Sequence, residues 1–356
     1  MQRSHLAKLF VREIQPNQDV AGAFAVADKQ LKTARNGTSF LNLRLVDKTG
    51  EITGRIWENA QETADSIPSR GVVFVRGRSE LFREELQLHI HAISPAEPRD
   101  VDPSDFLPVS PRDVREMLEE LNRLVAGVKR PSLRRLLKHI LEDEDLMRRF
   151  KVAPAAKSMH HAYLGGLLEH TVSVAALVSQ ICARYPELDR DLLVAGAIIH
   201  DLGKVEEFVY DLSIDYSHQG RLLGHMVLGL EILEEKLRHM KRFPPEEAML
   251  LKHLVLSHHG QTEFGAVKLP MTREAFVLHH ADDLDAKMNS LSRILAESKG
   301  SDAAWTAFQS VYGRFFFRGL PPSMEEAPPE EPEASRDRGV QLNFWAVEAT
   351  GKKGAS

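Results

Sequence analysis

Four short segments of the sequence combine side chains that could bind a metal ion: residues 168–171, 199–204, 257–260 and 280–283. Each contains histidine, aspartate or both, and 12 of the 16 histidines lie between His160 and His280. Histidine clustered with aspartate suits a borderline or hard divalent ion, and the lack of paired cysteines argues against a structural zinc site. Such mixed ligands suit Mn²⁺, with Fe²⁺, Mg²⁺ or Co²⁺ as alternatives.

Helical periodicity predicts four side chains that point into a buried interior: His170, His200, Asp201 and Asp282. His170 lies on an apolar stripe with three- and four-residue spacing, and the His200-Asp201 pair ends the apolar run 192–199. Asp282 has apolar residues four positions before and after it, whereas Asp283 has histidine and lysine there. Buried imidazoles and carboxylates are costly unless they are paired or bind a cation. We therefore expect these four side chains to meet at a metal ion.

The composition fits a two-domain globular protein. The chain has 356 residues, 43% hydrophobic and 27% charged, and a formal charge of −5 that argues against a surface coating nucleic acid broadly. Cys182 is the only cysteine, which excludes an internal disulfide and favours a reducing, cytoplasmic compartment. Its apolar neighbours predict a buried core residue. No apolar stretch is expected to reach the roughly 18–20 residues that span a bilayer, so no membrane partner is expected.

Residues 1–95 are predicted to form a small all-β barrel such as an OB-fold. Leucines at 41, 43 and 45 alternate with other residues at period two, and a turn at 47–50 leads into a return strand at 51–57. Further strands are expected at 72–76 and 86–93. Short strands around a hairpin within 100 residues are typical of such barrels.

One face of this hairpin is a candidate surface for single-stranded nucleic acid. If the leucines point inward, five side chains point outward: Phe40, Asn42, Arg44, Arg55 and Trp57. Aromatic and arginine side chains on an open sheet face can stack bases and contact phosphates. Residues 1–100 are nearly neutral, however, with 14 Lys/Arg and 13 Asp/Glu. Trp57 could instead cover a barrel edge or pack on another domain, and both interpretations stay open.

The remaining chain is predicted to be helical up to residue 318. Five prolines in and beside 96–110 predict a linker, after which Ser110 is expected to cap the first helix. Gly203 is expected to end the helix of His200 in a left-handed conformation. The predicted regions are connecting helices at 111–160, an all-α metal domain at 161–318 whose first helix spans 161–184, and a disordered Pro/Glu-rich tail at 319–356 with an apolar segment at 340–347.

The order of these residues resembles the HD-domain superfamily of metal-dependent phosphohydrolases. By that resemblance, one ion is bound by His170, His200, Asp201 and Asp282. In members with two ions the aspartate of the pair bridges, and the second ion would be held by His225, His258 and, less firmly, His259. Asp201 and Lys204 would be catalytic, since Lys204 is similar to a lysine that contacts a phosphate oxygen. A bound ion lowers the pKa of its water and neutralises phosphate charge, so no serine or cysteine nucleophile is required.

The succession of small β-domain, linker and HD domain narrows this resemblance to the YhaM-like family of bacterial 3′-5′ exoribonucleases. The amino-acid sequences of residues 161–170, 257–260 and 280–287 are similar to those of this family, and the resemblance extends over roughly residues 5–318. It implies an enzyme that hydrolyses single-stranded RNA from its 3′ end to mononucleotides, with single-stranded DNA as a second candidate substrate. A homo-oligomer is an open option.

Three alternatives remain at this stage. A cyclic-dinucleotide phosphodiesterase of the HD-GYP kind would continue after His258-His259 with an acid and Gly-Tyr-Pro, which residues 260–265 lack. An HD-type nucleotide phosphohydrolase would leave the barrel unexplained. A nucleic-acid-binding adaptor with an inactive HD site would be expected to have lost ligands, yet every expected ligand position is occupied.

Overall fold

The computed structural model describes residues 9–34, 37–69, 71–82, 85–96, 101–210, 213–297 and 303–320. The chain divides into two compact units. The barrel unit comprises residues 1–109 with 209–215, and the helical unit comprises residues 110–208 with 216–356. The predicted tail from residue 321 onward, including 340–347, lies outside the described residues.

Five strands close the barrel unit: β1 (Asp19–Thr33), β2 (Ser39–Asp47), β3 (Gly50–Ile56), β4 (Gly71–Phe82) and β5 (Glu85–Pro95). They follow the order β1-β2-β3-β5-β4, and β1 pairs again with β4. β3 and β5 run parallel, while the other pairs are antiparallel. A short helix, α1 (Ala60–Ser66), lies between β3 and β4. This closed five-stranded barrel confirms the predicted OB-fold.

The period-two pattern of β2 and β3 builds the barrel core as expected. Leu41, Leu43 and Leu45 are fully buried, and Leu41 lies opposite Ile56 of β3. The turn between the strands is fixed by Asp47, whose Oδ1 accepts hydrogen bonds from the amides of Thr49 at 2.7 Å and Gly50 at 3.2 Å. These contacts set the register that turns the remaining side chains of both strands outward.

Part of the predicted linker at 96–110 is a packed extension of the barrel. Phe106 is buried against Ala23, Ala25 and Val72, and the carbonyl of Asp105 accepts a hydrogen bond from the Lys48 amide at 2.8 Å. Burial of this one aromatic side chain holds the segment against the barrel, although its prolines are typical of a linker.

The helical unit contains α2 (Val114–Ala126), α3 (Pro131–Leu141), α4 (Glu144–Phe150), α5 (Gly166–Arg184), α6 (Arg190–Ile199), α7 (Lys204–Glu207), α8 (His218–Arg238), α9 (Pro245–Ser257) and α10 (Arg273–Glu297). Two very short strands, β6 (Phe208–Val209) and β7 (Asp215–Tyr216), pair between α7 and α8. The helical class is confirmed, although residues 303–320 form isolated β-bridges, Trp305 with Phe317 and Gln309 with Arg314. Cys182 is buried, as expected.

Two helix starts differ from the sequence prediction. α2 is capped by Asp113, whose side chain accepts hydrogen bonds from the amides of Arg115 and Glu116, and not by Ser110. The helix expected from residue 161 begins only at Gly166, because His161 and Gly165 have left-handed backbones with φ of 46° and 79°.

α5 is long and apolar enough, by length and composition alone, to cross a membrane. This differs from the expectation that no apolar stretch would be long enough to span a bilayer. Of the apolar window, 56% is buried inside the protein, and the helix packs on α6 and α10. This is the environment of a core helix.

Candidate metal centre

Seven predicted ligands converge in the helical unit from five helices. His170 lies on α5, His200 and Asp201 follow α6, and His225 lies on α8 just after a break at Gly224. The others follow α9 or lie on α10: His258, His259 and Asp282. All seven side chains are buried, and His170, His200, His258 and Asp282 have no exposed surface. Sequence reasoning therefore identified side chains that the fold brings together.

The first group of atoms has spacings that suit a common ion. Nε2 of His170 lies 3.0 Å from Oδ1 of Asp282 and 3.4 Å from Oδ2 of Asp201. Nε2 of His200 lies 3.3 Å from the same Asp201 oxygen and 3.3 Å from Nε2 of His170. Neighbouring ligands bonded at about 2.1 Å to one ion are separated by about 3.0–3.4 Å in octahedral or tetrahedral geometry. These residues therefore fit a divalent cation.

A second group lies on the other side of Asp201. Ligand atoms of His225, His258 and His259 lie within 4.8 Å of one another. Oδ1 of Asp201 is 3.5 Å from Nε2 of both His225 and His258. Asp201 thus presents one oxygen to each group, the arrangement expected of a bridging carboxylate.

The five histidines of the two groups have one feature in common: the Nδ1 atom of each ring lies within hydrogen-bond distance of an acceptor. The acceptors are Asp285 for His170 at 2.7 Å, the carbonyl of Ala197 for His200 at 2.8 Å, Glu207 for His225 at 3.1 Å, the carbonyl of Val255 for His258 at 2.7 Å and that of Phe264 for His259 at 2.9 Å. A ring that donates from Nδ1 carries its lone pair on Nε2, the nitrogen available to a metal. Such acceptors behind the ring are typical of metal-bound histidine.

Histidines of the centre differ in the direction of their pKa shifts, which depends on burial and on neighbouring charges. Burial lowers the pKa of His258 to about 4 and that of His259 well below its usual value, so both rings are neutral and can donate a lone pair. Burial also acts to lower the pKa of His170, but the carboxylates of Asp282 and Asp285 raise it to about 10. A pKa raised in this way marks a place where positive charge is favourable, as at a cation site.

Two acids behind the ligands were missed by the sequence analysis. Oδ2 of Asp285 lies within hydrogen-bond distance of His170 and, at 2.9 Å, of Nε2 of His161. Glu207 accepts hydrogen bonds from both the backbone amide, at 3.0 Å, and the ring of His225. Asp285 stands three residues after Asp282, on the same face of α10, and that spacing was an available signal.

Lys204 and Gly203 complete the centre. Lys204 is only 1% exposed, and its Nζ lies 2.7 Å from Oδ2 of Asp201. Gly203 has a right-handed backbone with φ of −62°, so the predicted left-handed cap is wrong. Its role is close packing, since a Cβ there would lie 1.9 Å from the carbonyl oxygen of His225 and 2.5 Å from the amide nitrogen of Gly229.

The five predicted nucleic-acid-binding residues lie in the barrel unit, and three of them belong to one aromatic patch, which consists of Phe40, Trp57, Arg55 and Phe82. The rings of Phe40 and Trp57 stack with centroids 4.7 Å apart, and the Arg55 guanidinium lies 5.8 Å from the Phe40 ring and 4.9 Å from the Phe82 ring. Asn42 pairs with Arg55 across the strands. Arg44 forms an exposed ion pair with Glu51 at 3.1 Å, and this carboxylate neutralises part of the positive charge that a phosphate would contact.

Comparisons with known proteins find relatives of both parts of the chain. The HD domain family model matches residues 167–287, and a model described as a helicase (TraI_2) matches residues 103–188. The chain is 38% identical over 267 residues to the 3′-5′ exoribonuclease YhaM of Geobacillus sp. (strain WCH70), covering 75% of this chain and 82% of that protein. It is 36% identical over 286 residues to the protein of the same name from Bacillus subtilis (strain 168), covering 80% and 90%.

Two solved structures have some likeness to a quarter of the chain. One is the second OB-fold domain of replication protein A from Methanococcus maripaludis, with 23% identity, a TM-score of 0.21 and coverage of 25% of this chain and 95% of that one. The other is a small single-stranded DNA-binding protein from Streptomyces coelicolor, with 18% identity, a TM-score of 0.21 and coverage of 25% and 100%.

Proposed function

Because this chain belongs to the YhaM family of 3′-5′ exoribonucleases, we propose that its buried cluster of histidine and aspartate is the centre where RNA is hydrolysed. The chain is a metal-dependent 3′-5′ exoribonuclease that acts on single-stranded nucleic acid. The assignment of the centre rests on the five histidine rings, which turn Nδ1 to an acceptor and leave Nε2 for a common interior.

We assign two ion positions to the cluster. The first is formed by His170, His200, Asp282 and one oxygen of Asp201, and the second by His225, His258, His259 and the other oxygen of Asp201. Mixed imidazole and carboxylate donors favour Mn²⁺, with Fe²⁺, Co²⁺ and Mg²⁺ as alternatives. When bound, such ions activate water near neutral pH and neutralise phosphate charge.

Two side chains of the centre would act on the substrate directly. Lys204 is a buried cation at the edge of the cluster, so its ammonium group can hold an unbridged oxygen of the scissile phosphate. Asp201 lies between the two groups of histidines and next to Lys204, so its carboxylate can orient the attacking water. Burial of both residues excludes bulk solvent and strengthens these interactions.

We also propose that the aromatic patch of the barrel holds the single strand by stacking. The Phe40 and Trp57 rings and the Arg55 guanidinium form a surface that bases can contact whatever their type. Stacking does not read the ribose 2′-hydroxyl, so single-stranded DNA is proposed as a second substrate.

Two adjacent aspartates on α10 provide the test of the centre. Asp282→Asn removes a proposed ligand, whereas Asp283→Asn changes a carboxylate that pairs with Lys287 at 2.6 Å. With Mn²⁺, the wild-type protein and the Asp283→Asn variant should shorten 5′-labelled RNA stepwise from the 3′ end. Loss of an outer hydrogen-bond partner typically costs 10–100-fold, so loss of a ligand in Asp282→Asn should cost more than about 100-fold.

The same assay tests the remaining parts of the proposal. Parallel reactions with Mn²⁺, Mg²⁺, Co²⁺ and Zn²⁺ rank the metals, and a DNA strand of the same sequence tests the second substrate. If Asp282→Asn degraded RNA as fast as Asp283→Asn, the assigned centre would be wrong. If no metal supported degradation of RNA by the wild-type protein, the function itself would be refuted.

A further inference from the structure

A cavity of about 220 Å³ adjoins the metal centre within the helical unit. Four residues of the centre line one part of it: Lys204, Glu207, His225 and His259. The buried His160, whose ring lies 5.9 Å from that of His170, lines the same part. Much of the remaining wall is apolar and includes Met159, Phe208, Leu223, Met226, Phe264 and Val267. Leu223 and Val267 are half exposed, at 47% and 52%, whereas Phe208 and Met226 are buried. The cavity therefore runs from the surface to the proposed ligands and changes from apolar to polar along the way.

The break in α8 shapes this cavity. Gly224 has φ of +73° and ψ of 159°, far from helical values, and a Cβ at this position would meet no atom within 4 Å. The wall is thus open where a side chain would otherwise stand. The break also lets the following residue, His225, direct both its amide and its ring to Glu207. One backbone irregularity therefore serves the metal centre and the cavity together.

We propose that this cavity binds the base of the 3′-terminal nucleotide of the substrate, whatever that base is. The proposal rests on the proposed function and deepens it. In hydrolysis from the 3′ end, the scissile phosphate carries the rest of the strand on one side and a single terminal nucleoside on the other. A cavity that begins at the ligands of the centre is the space into which that nucleoside extends.

Size and chemistry both match a single base. An apolar cavity of about 150 Å³ holds benzene, so a volume of about 220 Å³ accepts one heteroaromatic ring system but not two stacked ones. Apolar and aromatic walls contact the face of any base, because every base has a π surface. Lys204, Glu207, His225 and His259 belong to the metal centre, and His160 lies beside His170. These polar side chains of the wall therefore lie at the end where the phosphate would be, away from the apolar part that would contact the base.

A cavity for one base limits the product to one nucleotide, and the hydrolysis that releases it is as follows. The oxygen of water bonds to phosphorus, and the bond from phosphorus to O3′ of the penultimate nucleotide breaks. One proton of the water ends on that O3′, and the phosphate stays on O5′ of the terminal nucleoside. The products are a nucleoside 5′-monophosphate and a strand with a new 3′-hydroxyl group. Each release empties the cavity for the next terminal base, so the strand shortens by one nucleotide at a time.

The test compares substrates with and without a terminal base. RNA ending in any of the four nucleotides and RNA ending in an abasic ribose are incubated with the metal-loaded full chain. We expect the four ordinary ends to be removed with similar kcat/KM, and the abasic end at least about fivefold less efficiently, as expected for one lost stacking contact. Calorimetric titration with Mn²⁺ provides a readout of the metal centre that does not depend on RNA.

Two neighbouring leucines on α8 provide matched variants. Leu223 lines the cavity, whereas Leu222 is 83% exposed and is absent from the cavity wall. Leu223→Ala should lower kcat/KM for ordinary RNA severalfold, leave the abasic substrate unchanged and bind Mn²⁺ as the wild-type protein does. Leu222→Ala should match the wild-type protein in every assay.

The outcomes separate this proposal from the proposed function. Removal of the abasic end as fast as ordinary ends, or an equal loss on both substrates in Leu223→Ala, would overturn the base site and leave the exoribonuclease intact. Failure of the metal-loaded wild-type protein to shorten any RNA would refute the exoribonuclease, and the base site with it.

Discussion

The acids behind the histidines are as much a part of the metal centre as the ligands. Asp285 lies behind His170 and fixes both the rotation of the ring and the proton on Nδ1. We expect Asp285→Asn to weaken Mn²⁺ binding by about 10–100-fold, because a charged acceptor raises the basicity of the ring it orients. Isothermal titration of metal into the variant and the wild-type protein measures this directly. Asp283→Asn is the control, and equal affinity in all three proteins would contradict the role of Asp285.

At the scale of single residues, the proposed ligands were easier to predict from the sequence than the groups that orient them. His170, His200, Asp201 and Asp282 could be found because each stands on an apolar helix face or at the end of an apolar run. The second group of histidines was assigned by resemblance alone. Asp285 contacts the ring of His170, 115 residues away in the chain, and Glu207 accepts a hydrogen bond from His225, 18 residues away. Helical spacing places Asp285 on the same face as Asp282, but local periodicity does not indicate which distant ring either acid contacts.

Helices α7 and α8 meet at two glycines, and their close approach holds His225 near Asp201. We expect Gly203→Ala to destabilise the protein by roughly 1–3 kcal/mol or more, since a methyl group would overlap the His225 carbonyl and force the two helices apart. Metal content should fall as well, because the displaced backbone carries a ligand. Urea unfolding and metal analysis test both effects.

Gly229→Ala is the matched control for that variant. A Cβ at position 229 would lie 3.3 Å from the amide nitrogen of Gly203, a tight contact that small shifts can relieve. Its effect should be small, because alanine also favours the helix by up to about 1 kcal/mol. Comparable losses in the two variants would mean that the close approach is not what positions the ligand.

The aromatic patch of the barrel gives a second prediction at the scale of elements. Removing one stacking ring costs about 1–3 kcal/mol per base, so Trp57→Ala should weaken binding of single-stranded RNA by at least about fivefold. Phe74, on β4, has nearly the same exposure, at 40% against 38%, and belongs to no part of the patch. Phe74→Ala should therefore bind as the wild-type protein does in fluorescence anisotropy. Equal effects of both changes would assign the loss to the barrel as a whole.

Helix and strand types were predictable from periodicity, but several boundaries were not. The strands of the barrel follow from alternation, and the region predicted as connecting helices, 111–160, contains α2, α3 and α4. The start of α5 was misplaced because the left-handed backbone of His161, held by the Asn289 side chain across 128 residues, has no local signal. Ser110 was assigned as a cap on local chemistry, yet its hydroxyl donates to Glu169 at 2.5 Å. Tertiary contacts decided both cases.

On the scale of the whole molecule, metal should stabilise one unit and not the other. The proposed ligands come from five separate helical elements, whereas the barrel has its own core of buried residues on β1 to β5. An ion at 100 times its dissociation constant adds about 2.7 kcal/mol to the unit that binds it. Chelation with EDTA should therefore lower the Tm of the helical unit and leave the barrel transition in place. Calorimetry with and without Mn²⁺ tests this, and equal shifts of both transitions would contradict it.

The carboxylate of Asp201 turns one oxygen to each group of histidines, so an ion bound at one proposed position would affect binding at the other. An ion bound by one oxygen of Asp201 would withdraw electron density from the carboxylate and change the affinity of the other position for its ion. Thermodynamic linkage requires that each ion change the affinity for the other by the same factor. Loading curves for this enzyme should then depart from the sum of two independent hyperbolas.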